Sequence, residues 1–151
     1  MFPRSIDDVI FSSISDKNII SRIVAGDVSF PSDAIRSILF YGRFGTGKTT
    51  TAMMMPTLIE YRLASMEEKE GNDWCYIGMG RNISITPSNE GKNQITPPNL
   101  LYMNCGEVNK ATSGMFDALS KFIKSFLGNI AVASSHLHIV LDEVDCLDKE
   151  Q

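Results

Sequence analysis

Ile19, Ile20, Ile23 and Val24 recur three and four residues apart, the spacing that gathers side chains on one face of a helix. Ser15 or Asp16 can cap its start, and Gly26 stands where a left-handed stop is expected, so the pattern predicts a short helix through Ala25 followed by a loop over 27–34. The run Ile38-Leu39-Phe40-Tyr41 is continuously apolar and ends at Gly42, which reads as a buried strand. A helix should follow from Lys48, its face continued by Leu58, Ile59 and Leu63. Pro56 falls inside it and removes a backbone hydrogen bond at ~3 kcal/mol. Either the helix kinks there or a second helix starts with Pro56 at its first position.

Residues 66–99 have the weakest periodicity. Trp74-Cys75-Tyr76-Ile77 and Ile83-Ser84-Ile85 predict a hairpin over 74–86. Leu100 to Asn104 reads as a second core strand. Ser113 can cap a helix through about Leu127, with Phe116, Leu119, Ile123, Phe126 and Leu127 on one face and Gly128 as its end. His138 to Leu141 is a third strand, closed by Asp142-Glu143. Strands alternating with helices predict an α/β fold in layers around a mostly parallel sheet.

The chain's 151 residues are 43% hydrophobic and 21% charged, enough for a core without disulfides or metals and consistent with one domain. A net charge of −4 argues against a broad basic surface for nucleic acid. Cys75, Cys105 and Cys146 are too few and too scattered for a disulfide framework, and no C-x-x-C pair offers a zinc site. They read as reduced thiols of an intracellular protein. The start, MFPRSIDD, does not resemble a signal peptide, and no apolar run is long enough to span a membrane.

The chemistry concentrates at Gly42-Arg43-Phe44-Gly45-Thr46-Gly47-Lys48-Thr49, which fits G-x-x-x-x-G-K-[ST]. Successive backbone N–H groups can surround phosphate oxygens, and glycines permit the close approach and unusual dihedrals this needs. The following helix start adds a positive dipole end. Lys48 brings an ammonium to the β and γ phosphates, and Thr49 offers a hydroxyl to magnesium. From residue frequencies the pattern arises by chance in roughly one chain in 200 of this length. The ligand expected is a purine nucleoside triphosphate, ATP with Mg2+.

A second acidic site closes the strand His138-Ile139-Val140-Leu141. Asp142 would hold the magnesium shell through water, and Glu143 would polarise the water attacking the γ phosphate. Alone, the pair would read as a solvated turn; the upstream phosphate loop gives it a role. Asp145 and Asp148 read as a solvated face or a helix start. His136 and His138 share one side of a strand but have no third ligand and read as structural. Gly78-Met79-Gly80 lacks the third glycine of a dinucleotide loop.

Leu39-Phe40-Tyr41-Gly42 running into Gly45-Thr46-Gly47-Lys48-Thr49-Thr50-Thr51-Ala52 resembles the AAA+ ATPases, and within them the clamp loaders of DNA replication (replication factor C small subunits and phage relatives). Leu101 to Glu107 resembles that family's second strand, and Leu141-Asp142-Glu143-Val144-Asp145-Cys146-Leu147 its Walker B segment. Pro3 to Ile10 resembles its N-terminal lead-in. The resemblance covers 3–61 and 100–149. It implies a P-loop NTPase fold, phosphate contacts from the loop through Thr50, and Val9 and Ile10 near the adenine. It implies Lys48 and Thr49 for phosphate and magnesium, Asp142 for magnesium, and Glu143 as catalytic base. It also implies neighbouring AAA+ subunits that supply an arginine finger, DNA met through the assembly, no membrane, and a cytoplasmic or nucleoid-associated, intracellular setting that includes a phage-encoded origin.

The chain departs from the family at Arg43-Phe44, where clamp loaders usually carry Pro-Pro, and at Pro56. Residues 62–99 read as an insertion before the second strand. The family's fourth and fifth strands and helical lid would follow Glu143, so residues 1–151 read as the N-terminal part of an AAA+ domain, truncated or completed by another chain, with 62–99 an alternative source of the missing strand. Hydrolysis is then expected only with completing partners. A helicase-loader-type subunit, or one that binds nucleotide without hydrolysing it, is the alternative reading. A small-molecule kinase or GTPase fits less well: Asn109-Lys110-Ala111-Thr112 lacks the Asp of the guanine signature. Lys110, Lys121 and Lys124 could meet DNA or form a solvated face.

Overall fold

The computed structural model describes residues 2–32, 36–86, 91–97, 99–108, 114–128 and 136–146. The chain divides into two compact units, Met1–Pro97 and Pro98–Gln151.

In the first unit a 3₁₀ turn, Ile6–Asp8, precedes α1 (Ile14–Ala25). Ser13, rather than Ser15 or Asp16, caps α1: its hydroxyl accepts from the N–H groups of Ser15 (3.1 Å) and Asp16 (3.4 Å). Gly26 ends the helix as expected, at φ +88°, and its N–H bonds back to Arg22 and Ile23. Ile20 and Ile23 are buried, whereas Ile19 is exposed, so the buried stripe is narrower than the sequence suggests.

Helix α2 spans Lys48–Leu63 without interruption, and Pro56 neither ends nor restarts it. Burial explains this. Met53, Met54, Met55 and Ile59 are all in the core, each stabilising by about 1.5–3 kcal/mol. Together they outweigh the ~3 kcal/mol cost of one interior proline. The helix packs on α1 and on the first strand. Arg62 donates to the carbonyls of Ile23 and Val24 (3.1 and 3.3 Å), placing its charge at the negative end of α1.

A short helix, α3 (Met66–Gly71), leads into β1 (Asn72–Gly78), which turns back as β2 (Arg81–Ser84). This is the hairpin expected over 74–86. Met79 (φ +50°) and Gly80 (φ +74°) form its two-residue turn with Gly78 opposite Arg81. Both φ values are positive, as in a type I′ turn. β3 (Asn93–Ile95) pairs parallel to β1 on its other side. Thr57 donates to the Cys75 carbonyl (3.1 Å), joining α2 to β1. The Tyr76 hydroxyl donates to the Pro3 carbonyl (2.8 Å), tying down the chain's start.

The run 38–41 forms no strand, contrary to expectation. Leu39 is 71% and Tyr41 88% exposed. A run apolar on both faces stays in a sheet only with ladder partners and cover, and no described strand pairs with it. Nor do the described parts of 62–99 supply it with a neighbour. They build the β2-β1-β3 sheet instead.

The second unit contains β4 (Leu100–Asn104), α4 (Cys105–Val108), α5 (Gly114–Gly128) and β5 (His138–Asp142), then a 3₁₀ turn, Val144–Cys146. Both strands match the sequence expectation and pair in parallel, Leu100 opposite His138 through Asn104 opposite Asp142. α5 also matches, though Phe116 and Ile123 on its apolar face are exposed. Its cap Ser113 and the side chains of Phe126 and Leu127 lie outside the described residues, as do 109–112 and Asp148. The fold is thus mixed α/β, with its described strands in two small sheets. No described helix is long and apolar enough to cross a membrane.

Candidate functional site

Residues 42–47 form an exposed turn that delivers the chain into the start of α2. Gly42, Gly45 and Gly47 have φ of +139°, +77° and +81°, a region costly for any residue with a Cβ. A Cβ on Gly45 or Gly47 would meet no heavy atom within 4 Å. Open space therefore lies beside the backbone, and conformation rather than crowding calls for glycine there. Thr46 closes the turn by donating to the Arg43 carbonyl (2.9 Å). The Lys48 ammonium lies across it, donating to the carbonyls of Gly42 (3.0 Å) and Arg43 (2.7 Å). Thr51 begins the helical ladder by bonding through its N–H to Gly47 (2.9 Å).

This arrangement suits a polyanion. A 16-residue helix presents its first N–H groups at the turn, an ammonium is held at the same place, and no described atom lies within 4 Å of the Cβ positions of Gly45 and Gly47. Thr49 and Thr50 occupy the first turn of α2, Thr49 exposed and Thr50 partly buried. Phe44 stands 98% exposed beside Arg43. Val9 follows the first 3₁₀ turn and is partly buried, while Ile10 is 93% exposed.

The acid pair lies at the carboxyl end of the β4–β5 pair. Parallel register brings both strand ends level, with Asn104 opposite Asp142. Carboxyl ends of parallel strands are where α/β sheets collect ligands. One Asp142 oxygen accepts from the Tyr102 hydroxyl (3.0 Å) and the other from the N–H of Glu143 (3.1 Å). Burial, followed by the Asp142 carboxylate, pushes the Tyr102 phenol up to about 12, so it remains a donor at neutral pH. Glu143 has φ +53°, an uncommon position for a glutamate and one often held at functional sites. The following 3₁₀ turn returns the Cys146 N–H to the Glu143 carbonyl (2.9 Å).

Gly106 makes room for this carboxylate. A Cβ there would stand 2.8 Å from Glu143 Oε2 and 3.2 Å from Asn104 Oδ1. Asn104 Oδ1 in turn accepts from the N–H groups of Gly106 (2.9 Å) and Glu107 (3.3 Å), starting α4. Tyr102, Asn104 and Gly106 surround the acid pair, yet the sequence singled out none of them for this. The available signal was their place at the end of a strand that pairs in parallel with the acid-bearing one.

Among the described residues no group of three or more His, Cys, Asp and Glu could hold a metal ion. Zinc-like sites need such a set, but magnesium does not. It keeps several waters and takes one or two carboxylates plus phosphate oxygens, so a single hard oxygen donor on either unit suits it without such a set. His136 and His138 lie with ring centres 6.0 Å apart. Cys75 and Cys105 are buried free thiols and Cys146 an exposed one. No protein-family model, curated protein or solved structure matches the chain, so the AAA+ likeness rests on its motif residues.

Proposed function

We propose that the chain binds ATP with magnesium through the loop 42–49, as a P-loop ATPase module of AAA+ clamp-loader type acting in DNA replication. The observation that carries this reading is the turn of positive-φ glycines opening onto α2 with the Lys48 ammonium lying across it. Backbone N–H groups of the turn and helix start would bind phosphate oxygens, and Lys48 would exchange its carbonyl partners for the β and γ phosphates. Thr49 and Asp142 would hold magnesium, whose chemistry is to neutralise charge on the phosphates. Glu143 would orient the attacking water and take its proton. The complete Asp142-Glu143 pair favours hydrolysis over passive binding, with turnover depending on an arginine from a neighbouring subunit and DNA reached through that assembly.

The test is calorimetric titration of the purified chain with ATP and magnesium, alongside a folded Lys48→Ala variant. The expected result is saturable binding by the wild type, weakened at least tenfold by the substitution. Absence of wild-type binding, or undiminished binding by Lys48→Ala, rules the reading out.

A further inference from the structure

The Arg43 carbonyl receives two donors, the Thr46 hydroxyl at 2.9 Å and the Lys48 ammonium at 2.7 Å. A backbone carbonyl has two lone pairs, so the two donors together fill it. The same ammonium reaches the Gly42 carbonyl at 3.0 Å. The two donors differ in what a phosphate would do to them. Lys48 would leave both carbonyls for phosphate oxygens. The Thr46 bond lies inside the turn 43–46, joining its fourth residue to its first, and does not depend on the ammonium. Gly45, the third residue of that turn, has φ +77°, and a type II turn calls for glycine at this position. With glycine at 42, 45 and 47 as well, the segment has more backbone freedom to lose than other residues would give it. A local bond that outlasts the lysine's departure works against that freedom.

We propose that Thr46 is a positioning residue whose hydroxyl keeps the turn 43–46 in shape while the Lys48 ammonium passes from loop carbonyls to the phosphates. The proposal rests on the nucleotide reading and deepens it by giving this side chain a task within the loop. Every atom it uses belongs to the first unit. A purely architectural role for the hydroxyl explains less. Thr46 is exposed and its bond is confined to a surface turn, whereas the core of the unit is built where α2 packs on α1 and β1. Removing the hydroxyl therefore leaves that core intact. It frees the turn to leave the binding conformation, and binding must then restore it. The net worth of one hydrogen bond sets the scale of the loss, roughly two- to twelvefold in affinity.

The experiment titrates the full chain with ATP and magnesium for wild type, Thr46→Val and Thr46→Ser, with thermal melts to verify folding. A second measurement, made without nucleotide, follows tryptic cleavage after Arg43 relative to cleavage after Arg81, both exposed. Thr46→Val should melt with wild type, bind ATP about fivefold more weakly, and be cut faster after Arg43. Thr46→Ser keeps the hydroxyl and should recover most of both losses. Wild-type affinity in Thr46→Val, or a Thr46→Ser variant as weak as Thr46→Val, overturns the proposal while leaving the nucleotide reading in place. So does weakened binding with unchanged cleavage after Arg43, which would make the hydroxyl a direct phosphate contact instead. No binding of ATP by wild type defeats the nucleotide reading itself, and this proposal with it.

Discussion

Gly47 occupies φ +81° immediately before α2, and nothing crowds the position a Cβ would take. A Gly47→Ala variant isolates conformational cost from steric clash. It should destabilise the first unit by about 1–2 kcal/mol, the left-handed penalty of an L-residue, and weaken ATP binding by moving the turn's N–H groups. Chemical denaturation and nucleotide titration on the same preparation measure both effects. At this scale the glycine turn opening onto α2 was legible because its residues are contiguous: glycine spacing and the helix-compatible segment after it declare the backbone geometry within eight positions. The surroundings of the acid pair were not. Tyr102 lies 40 residues from Asp142 in sequence, and no local pattern links a phenol to a carboxylate until strand register is known.

Among the elements, the β2-β1-β3 sheet carries a buried charge. Asp73 is 6% exposed, and its carboxylate accepts from Ser84, Thr86 (2.7 Å) and Gln94 (3.5 Å), binding all three strands. Burial is the largest influence on its acidity and raises it, but the hydrogen bonds together outweigh burial and hold the group below the ordinary aspartate value. A lowered folded-state value means the carboxylate stabilises the fold fully above the ordinary range and loses that contribution as pH falls through the folded value. Asp73→Ala should therefore cost about 1–3 kcal/mol at neutral pH by leaving donors unsatisfied. Its deficit relative to wild type should shrink as pH falls below the ordinary aspartate value of about 3.9, as measured by urea unfolding across pH. The hairpin was readable from its alternating apolar residues. The continuity of α2 was not, because tertiary burial overrides the local effect of Pro56.

For the molecule as a whole, the first unit has its own helices, sheet and buried core, and its 97 residues are well above the roughly 40 at which small folds need extra staples. A fragment of residues 1–97 should fold cooperatively and melt within a few degrees of a transition seen in the full chain, as followed by circular dichroism. A gradual, non-cooperative melt would show that the unit depends on the remainder. The α/β character of the chain was legible because strands and helices announce themselves by period. Strand 38–41 was misread because an apolar run specifies burial but cannot name what buries it.

The ammonium of Lys48 spans the turn, held by the carbonyls of Gly42 and Arg43. Ordering a lysine side chain costs up to about 2 kcal/mol of rotamer entropy. Folding has met that cost here, so a polyphosphate bound as proposed would meet a cation in position and need only exchange one set of oxygens for another. Association at such a site should be governed by the stripping of water from the anion more than by any search for a receptive geometry.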